Sequence, residues 1–371
     1  MNPGTDVPTY PPGAMDKATS QRIRYLRTPD GVQLAWAEAG RGPLLVKAAN
    51  WLTHLEYDWK SPVWRHWLHF LADHFRVVRY DERGCGMTDW NVGDLTFPRW
   101  VEDLELVAEN SGAREPMILL GISQGASVCI AYAVRHPERV SHLLLYGGYA
   151  RGKARRDDEH GEREYKAIIE LARLGWGKDN PAFRQVFTSR FIPDGTEQQI
   201  AWFNELCGKT TSPEIAGELL EARAHIEVSD LLPQVRTPTL VLHARDDGVT
   251  PFEEGRRLAA GIPGAQFVEL DSQNHILLED EPAWSRFQEA VLDFLGIAAP
   301  GGEDPAFASL SPREREILVL VTEGLANAEI ASRLGLRDKT VRNHVSNLFD
   351  KLGVWTRAQA IVFARDRGFR S

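Results

Sequence analysis

One serine in the sequence has neighbours that can make it a nucleophile. Residues 116–134 begin as an apolar strand, pass through Gly-Ile-Ser-Gln-Gly with the serine at position 123, and continue as an amphipathic helix. A serine on so sharp a turn needs small residues two positions before and after it, and Gly121 and Gly125 meet that need. An ordinary strand-to-helix turn could have the same residues, but the flanking strand and helix favour Ser123 as a catalytic nucleophile.

The groups that would activate Ser123 are expected further along the chain. A serine hydroxyl is a weak nucleophile near neutral pH unless a base accepts its proton, and the base needs an acid to orient it and offset its charge. Asp246 and Asp247 directly follow an apolar strand, and His275 lies in the loop after the next strand. Open α/β sheets build their sites at such strand ends. The pattern predicts a Ser-Asp-His triad and leaves either aspartate as its acid.

A second group of residues, close to the C-terminus, has the pattern of a pair of DNA-binding helices. Ser311, Pro312 and Glu314 form a capping box with proline at the first helical position, which predicts a helix start. After this helix, the sequence predicts another helix, a tight turn around Gly335 and a further helix.

The last of these helices has an apolar face and a polar face. The apolar residues at helical spacing are Val341, Val345, Leu348 and Leu352. The opposite face and its flanks have short polar and basic residues, namely Lys339, Thr340, Arg342, Asn343, Ser346 and Asn347. Such a helix suits insertion into a DNA major groove. The spacing alone fits equally well a helical bundle that contacts proteins and leaves its charges in solvent.

The elements that must position these residues are predicted from periodicity. Eight short apolar segments have the pattern of strands: 22–28, 32–40, 43–49, 75–81, 116–123, 141–148, 239–246 and 266–271. Amphipathic stretches separate the later ones, which predicts an α/β fold with a mostly parallel sheet covered by helices. From about 149 to 232 helical periodicity replaces the strands and predicts a cap. Residues 1–21 are predicted to be a flexible lead-in and residues 296–309 a linker before a small all-α domain at 310–371.

Composition narrows the class of protein. The chain has 371 residues and a formal net charge of −9, but residues 310–371 have 11 Lys and Arg against 7 Asp and Glu. A basic C-terminal part after an acidic body is compatible with a nucleic-acid partner for that part alone. The 3 cysteines show no paired spacing, which argues against disulfides and zinc and favours the cytoplasm. No apolar run is long enough for a membrane span, and no cofactor or metal is predicted.

Residues 22–295 resemble the α/β-hydrolase-fold family. The resemblance rests on Gly-Ile-Ser-Gln-Gly and on Tyr-Asp-Glu-Arg-Gly-Cys-Gly-Met-Thr-Asp-Trp at 80–90, after the fourth strand. It implies that Asp247, which opens a D-x-x-T-P turn, is the triad acid. It also implies an oxyanion hole made by the backbone N–H of Gln124 and by one from the loop after the third strand. The usual His-Gly is absent from that loop, which leaves Asn50 and Trp51 as the candidates for the second donor.

Several large aromatic side chains are candidates for an apolar pocket over Ser123. They are Trp51, Tyr57, Trp59, Trp202 and Phe203. For Trp51 and Trp202 a place in the core is an equal alternative. Trp64 and Trp67, which share one face of a helix with Leu71, are predicted to be core residues.

Residues 310–364 are similar, nearly position by position, to the LuxR-type helix-turn-helix domain. The resemblance implies base or phosphate contacts by Lys339, Thr340, Arg342, Asn343 and Asn347, with Lys351 as a candidate contact to the DNA backbone. Arg337 replaces the serine that usually caps the recognition helix, so Asp338 is predicted to cap it instead. By the same resemblance, the terminal helix is expected to form a homodimer.

Together these features predict a ligand-responsive transcriptional regulator. Its expected partners are double-stranded DNA, a second copy of the chain, and a small apolar compound with an ester, lactone or acyl group that the first domain binds or hydrolyses. Two alternatives are a serine hydrolase with an accessory helix-turn-helix domain and a receptor that keeps the triad without catalysis.

Overall fold

The structure is a computed structural model that describes residues 20–176, 178, 180, 182–297, 305–307, 309–367 and 369. The predicted lead-in at 1–21 and linker at 296–309 lie mostly outside these residues. The chain forms two compact units, divided between Gln288 and Glu289. In the described part of the chain, no helix is both long and apolar enough to cross a membrane.

The first unit is built around one sheet, and its described strands lie within the predicted segments, except that β6 begins one residue earlier than predicted. The described strands are β1 Arg22–Arg27, β2 Gln33–Ala39, β3 Leu44–Lys47, β4 Arg76–Tyr80, β5 Met117–Ile122, β6 Val140–Tyr146, β7 Thr239–Ala244 and β8 Gln266–Leu270. Their order is β1-β2-β4-β3-β5-β6-β7-β8. The pairs β1–β2 and β2–β4 are antiparallel, and all other pairs are parallel. The predicted mostly parallel sheet is confirmed.

The sheet is buried from both sides by helices that precede or follow its strands. In the described residues these are α1 Leu55–Trp59, α2 Arg65–His74, α3 Phe97–Asn110, α4 Gln124–Arg135, α9 Phe252–Gly261 and α10 Pro282–Phe294, the last of which runs across the division between the units. Every residue of β5 and β7 is buried. Continuous apolar strands of this kind are typical of parallel sheets with two covered faces.

Four further helices occupy the predicted cap region. They are α5 Glu159–Gly175, α6 Ala182–Phe191, α7 Glu197–Thr210 and α8 Pro213–Ala224. Side chains cap three of them at the N-terminus, because Asp158, Thr196 and Ser212 each accept a hydrogen bond from a backbone N–H of the first turn.

The segment after β4 joins the sheet to several other elements through buried charges. Asp81 accepts hydrogen bonds from the backbone N–H groups of Leu55 and Met87 at 3.0 and 2.8 Å. Arg83 donates to both carboxylate oxygens of Asp103 in α3, at 2.7 and 2.6 Å. Glu82 pairs with Arg223 in the last cap helix. These buried charges must stay paired, because removal of one partner would leave the other charge buried without compensation. The contacts therefore hold the cap and α3 at defined places on the sheet.

After α10, the described residues of the second unit form four α-helices that pack around a core of their own. They are α11 Pro312–Thr322, α12 Asn327–Leu334, α13 Asp338–Leu352 and α14 Arg357–Asp366. The predicted capping box of α11 is confirmed, since Ser311 and Glu314 each bond the backbone N–H of the other. The predicted turn at Gly335 has the left-handed backbone expected of glycine, with φ 63°. The predicted apolar face of α13 is buried, namely Val341, Val345, Leu348 and Leu352.

The ion pair between Lys351 and Glu314 connects α13 to the start of α11. The Lys351 Nζ lies 2.7 Å from Glu314 Oε2 and also donates to the Ser309 carbonyl at 3.1 Å. The hydrogen bond from Lys351 lowers the pKa of Glu314 to about 2. Because the folded pKa lies below the ordinary value, the pair stabilises the folded state above about pH 4.5, and this stabilisation is lost as the pH falls toward 2.

We expect Lys351→Met to lower the free energy of unfolding of the second unit by about 0.5–1 kcal/mol near pH 7, since the pair is partly exposed. The difference from wild type should shrink as the pH falls from 4.5 to 2, and amide hydrogen exchange of the second unit in the full chain measures it. Lys339→Met, on the exposed face of α13, is the control. Equal destabilisation by both variants at every pH would contradict the assigned pair.

Candidate active site and candidate DNA-binding surface

The backbone of Ser123 is in a conformation that few residues adopt. Ser123 connects β5 to α4 with φ 53° and ψ −126°, and it is buried. A Cβ atom on Gly121 would lie 2.5 Å from the Ala126 Cα, and one on Gly125 would lie 2.9 Å from the Ala49 carbonyl oxygen. Both glycines are therefore required by close packing, which is the reason given for them by the sequence pattern.

Asp247 and His275 lie in direct contact. The His275 Nδ1 is 2.6 Å from Asp247 Oδ2, and both side chains are buried. The other carboxylate oxygen of Asp247 accepts hydrogen bonds from the backbone N–H groups of Val249 and Thr250 at 2.7 and 2.9 Å. Burial by itself raises the pKa of Asp247, but the charge and hydrogen bond of His275 outweigh burial, so its pKa is lowered. Asp246, the alternative acid, is exposed.

The ends of β5 and β6 place Ser123 near His275. The Ser123 N–H donates to the Tyr146 carbonyl at 3.0 Å. The next residue, Gly147, has φ 56°, and a Cβ there would lie 3.1 Å from the His275 Cε1. The His275 Nε2 is buried and has no hydrogen-bond partner among the described residues. This nitrogen is therefore free to accept a proton, as the base of a triad must be.

A second buried histidine, which sequence reasoning missed, lies beside the aspartate. The His243 Nε2 donates to the Thr250 carbonyl at 2.9 Å and lies 3.7 Å from Asp247 Oδ2. Burial lowers the pKa of His243. His243 thus supports the turn that binds Asp247. No motif marks it, because its role comes from a contact between β7 and the turn that follows.

The predicted oxyanion donors are only partly free. Gln124 begins α4, where the first N–H groups of a helix have no partner within the helix. The Trp51 N–H, however, donates to the Gln124 side-chain oxygen at 3.0 Å. The Asn50 amide donates to the Trp51 carbonyl at 3.1 Å, and its oxygen accepts from Lys47. The expectation that Trp51 offers its N–H to an oxyanion is wrong for this conformation, because the Gln124 side chain occupies that donor.

A pocket opens on Ser123, with about 670 Å³ of empty space that is partly open to solvent. Trp51 lines it as predicted, but the prediction is wrong for the other four aromatic residues. Tyr57 and Trp202 stack on each other at 4.8 Å between ring centroids, and Trp59 contacts His69 at 5.4 Å. Phe203 is buried against Phe191 at 5.4 Å. These rings pack between helices, so they do not reach the pocket.

Most of the pocket wall comes from cap residues that sequence reasoning did not identify. The lining residues from 149 to 223 are Tyr149, Lys153, Arg156, Tyr165, Ile168, Val186, Phe187, Arg190, Phe191, Leu220 and Arg223. The helical periodicity of the cap predicted its helices but did not indicate which face of each one turns toward Ser123.

The recognition-helix candidates lie on the exposed side of α13. Lys339, Arg342, Asn343 and Asn347 are exposed, and Thr340 is half-buried. The prediction that Asp338 caps the helix is wrong, because Asp338 lies in the first turn and pairs with the Arg342 Nε at 2.7 Å. Lys351 is bound to Glu314 and Ser309, and its contact with the DNA backbone stays a prediction.

An α/β-hydrolase fold with a serine at the strand-to-helix turn, joined to a helix-turn-helix domain, defines the class of this protein. The chain belongs to the family described as serine aminopeptidase, S33, which matches residues 65–282. Residues 308–364 match the family described as bacterial regulatory proteins, luxR family. The recognition of both domains from the sequence is confirmed.

Individual relatives agree with this division. The RutD protein of Rhizobium rhizogenes, named as a candidate carbamate hydrolase, is 30% identical over 240 residues, which are 62% of this chain and 87% of that protein. A solved structure of a hydrolase from Pseudomonas aeruginosa superposes with a TM-score of 0.62 at 27% identity and covers 74% of this chain and 98% of that one. The DNA-binding transcriptional activator DevR/DosR of Mycobacterium tuberculosis is 48% identical over 64 residues, 17% of this chain and 29% of that protein.

Asp246 and Asp247 form a matched pair for testing the acid. In Asp247→Asn, the side-chain amide can face His275 Nδ1 with its N–H, which would reverse the tautomer of the ring. We expect the far-downfield proton NMR signal of a histidine N–H bonded to a carboxylate in wild type and in Asp246→Asn, and its loss in Asp247→Asn. The signal should disappear in His275→Gln as well. Its persistence in Asp247→Asn would contradict the pairing.

Proposed function

We propose that this protein is a ligand-responsive transcriptional regulator whose hydrolase-fold domain binds and hydrolyses a small ester- or lactone-like compound. The observation that carries the proposal is the position of Ser123, which lines a pocket and lies close to a buried Asp247–His275 pair in a chain that also has a DNA-binding domain. A ligand that binds one conformational state of the protein more tightly than the other shifts the population toward the first state. If the two states bind DNA differently, DNA occupancy changes as well, and the difference in the ligand's binding free energy sets the size of the shift.

The hydrolytic step follows from the roles of the three residues. The Ser123 Oγ attacks the carbonyl carbon of the ligand while His275 Nε2 takes its proton, and Asp247 stabilises the resulting imidazolium. The backbone N–H of Gln124 donates to the developing oxyanion. The imidazolium then returns its proton to the leaving oxygen, and water releases the acyl group from Ser123 by the reverse sequence.

One observation favours a second candidate, a receptor that binds without turnover. The Trp51 N–H, a natural second oxyanion donor, is bound to the Gln124 side chain at 3.0 Å. Loss of one such donor costs about 3 kcal/mol of transition-state stabilisation, which is roughly a hundredfold in rate. Rotation of the Gln124 side chain would free the donor, so the two candidates differ by one side-chain conformation.

A fluorophosphonate probe distinguishes these candidates, because only an activated serine reacts with it. We expect mass spectrometry to locate the probe on Ser123 in wild type and to find none in Ser123→Ala. Ser127→Ala, at a buried serine whose hydroxyl donates to the Tyr149 carbonyl, is the control and should label like wild type. A folded wild-type protein that takes no label would support the receptor and remove hydrolysis from the proposal.

DNA contact is proposed for the exposed side of α13. The Arg342 side chain is 70% exposed and its partner Asp338 is 38% exposed. Exposed pairs of this kind contribute little to stability, so a phosphate or base can compete for the guanidinium. Lys339, Thr340, Asn343 and Asn347 would reach the DNA from the same side of the helix.

We expect Arg342→Ala to weaken binding about tenfold or more to a duplex that the wild-type protein has selected from a random-sequence pool. The slope of log affinity against log salt should fall in magnitude by about 1, since one cation is removed. Fluorescence anisotropy over a salt series measures both. Arg99→Ala, at a half-buried arginine of α3 that is paired with Asp94 in the first unit, is the charge-matched control. Unchanged binding by Arg342→Ala would exclude α13 from the interface.

A dimer is proposed through α14 and the turn before it. Trp355 is 87% exposed and Val362 is 45% exposed, an unusual setting for large apolar side chains. Both line one groove with Val354 and Phe363. A symmetric pair of these surfaces would present two recognition helices to two half-sites.

A further inference from the structure

The pocket over Ser123 is more basic than a neutral ester requires. Four of its lining side chains are cationic, namely Lys153, Arg156, Arg190 and Arg223. Among the described residues that line it, none is acidic. The remaining wall is largely aromatic and aliphatic. Charges buried in such surroundings cost free energy unless they are paired, so their presence needs a reason.

Arg223 has the most evident unused hydrogen-bonding capacity. Only 4% of its side chain is exposed, and its guanidinium lies over the Trp51 ring at 4.5 Å. One terminal nitrogen pairs with Glu82. The Nε and Nη1 atoms are buried and have no hydrogen-bond partner among the described residues. Buried donors without partners are rare in folded proteins, and here they border a pocket.

Arg156 repeats this arrangement. Its side chain is 9% exposed, its Nε donates to the Arg151 carbonyl at 2.8 Å, and its Nη1 is buried without a partner in the described part of the chain. Its acidic neighbour Glu254 is 3.7 Å away. Glu254 also lies within 4 Å of Arg151 and Arg257, and Arg151 has a second, exposed partner in Asp157 at 3.7 Å, so three guanidinium groups share two carboxylates. Positive charge is left over on the side of the pocket.

Lys153 and Arg190 also line the pocket, and Arg190 is paired with Glu164 at 3.0 Å. Burial, together with the charges of Arg156 and Arg190, lowers the pKa of Lys153. Within the described residues, Lys153 has no ion pair within 4 Å. The charges of Arg223, Arg190 and Arg156 all act on the Tyr165 hydroxyl, whose pKa is nevertheless raised by burial to about 12. These cations are therefore close to one another around one pocket.

We propose that the ligand of this pocket is an acyl compound with a carboxylate, which Arg223 and Arg156 bind while the reacting carbonyl lies at Ser123. The proposal rests on the proposed function of that site and names its substrate class. A carboxylate has two oxygens with about four acceptor positions, and the three unpartnered guanidinium nitrogens can donate to them. The aromatic wall would enclose the chain between the carboxylate and the carbonyl.

Two esters of equal chain length test the charge requirement. The mono-4-nitrophenyl ester of glutaric acid has the carboxylate, and 4-nitrophenyl valerate has a methyl group in its place. In the full chain with Ser123→Ala, which prevents turnover, we expect calorimetry to give at least tenfold tighter binding of the glutarate ester. When Arg156→Met is added, the ratio of the binding affinities for the two esters should fall toward 1. Arg99→Met on the same background is the control and should keep the preference.

Arg223 needs a paired variant, because Arg223→Met alone would leave Glu82 buried without its cation. The double variant Glu82→Gln, Arg223→Met removes both charges and should lose the preference as Arg156→Met does. Equal affinity for the two esters, no measurable binding of the glutarate ester at millimolar concentration, or a preference that survives both variants would each overturn the proposal.

The proposed hydrolysis is tested separately by fluorophosphonate labelling of wild type. A charge preference without labelling would retain the carboxylate site and remove the chemistry. Labelling at Ser123 without a charge preference would retain the hydrolase and remove the carboxylate site.

Discussion

The left-handed backbone of Ser123 is the constraint on which the first unit depends. Such a conformation costs about 1–3 kcal/mol in a residue other than glycine, so the surrounding structure must hold it. The Tyr146 carbonyl accepts the Ser123 N–H at 3.0 Å, and Gly121 and Gly125 let α4 approach β5 and the loop after β3. The contact with Tyr146 also fixes the adjacent Gly147, against which His275 packs. Ser123 and His275 are thus positioned by the same strand ends.

The pair between Glu82 and Arg223 positions the pocket wall in a comparable way. It joins the segment after β4 to the last cap helix and brings a guanidinium to the wall of the pocket. The sheet positions Ser123, Asp247 and His275, whereas the cap provides most of the wall of the pocket. A change of cap residues can therefore alter ligand chemistry and leave Ser123, Asp247 and His275 in place.

In the second unit, two ion pairs of similar appearance have different consequences. The pair between Lys351 and Glu314 is partly buried and holds α13 to the start of α11. The pair between Arg342 and Asp338 lies on the exposed side of α13, where solvent screens it. The first therefore belongs to the packing of the domain, and the second leaves a cation that DNA can recruit. Similarity to the LuxR-type domain predicts a DNA contact for both residues, and the structure shows Arg342 to be the more exposed of the two.

The two domains, the eight described strands, the four described C-terminal helices and the residues proposed as a triad could be predicted from the sequence. Each of these features depends on local hydrophobic periodicity or on a short motif. In the motif around Ser123, for example, the two glycines directly indicate a tight turn of the backbone. The residues that form the wall of the pocket could not be predicted from the sequence. Tyr57, Trp59, Trp202 and Phe203 have the composition of a pocket wall but pack between helices, and Arg223 reaches the wall through a partner 141 residues away in the chain. The side of a cap helix that faces the ligand is set by such long-range contacts, which leave no local pattern in the sequence.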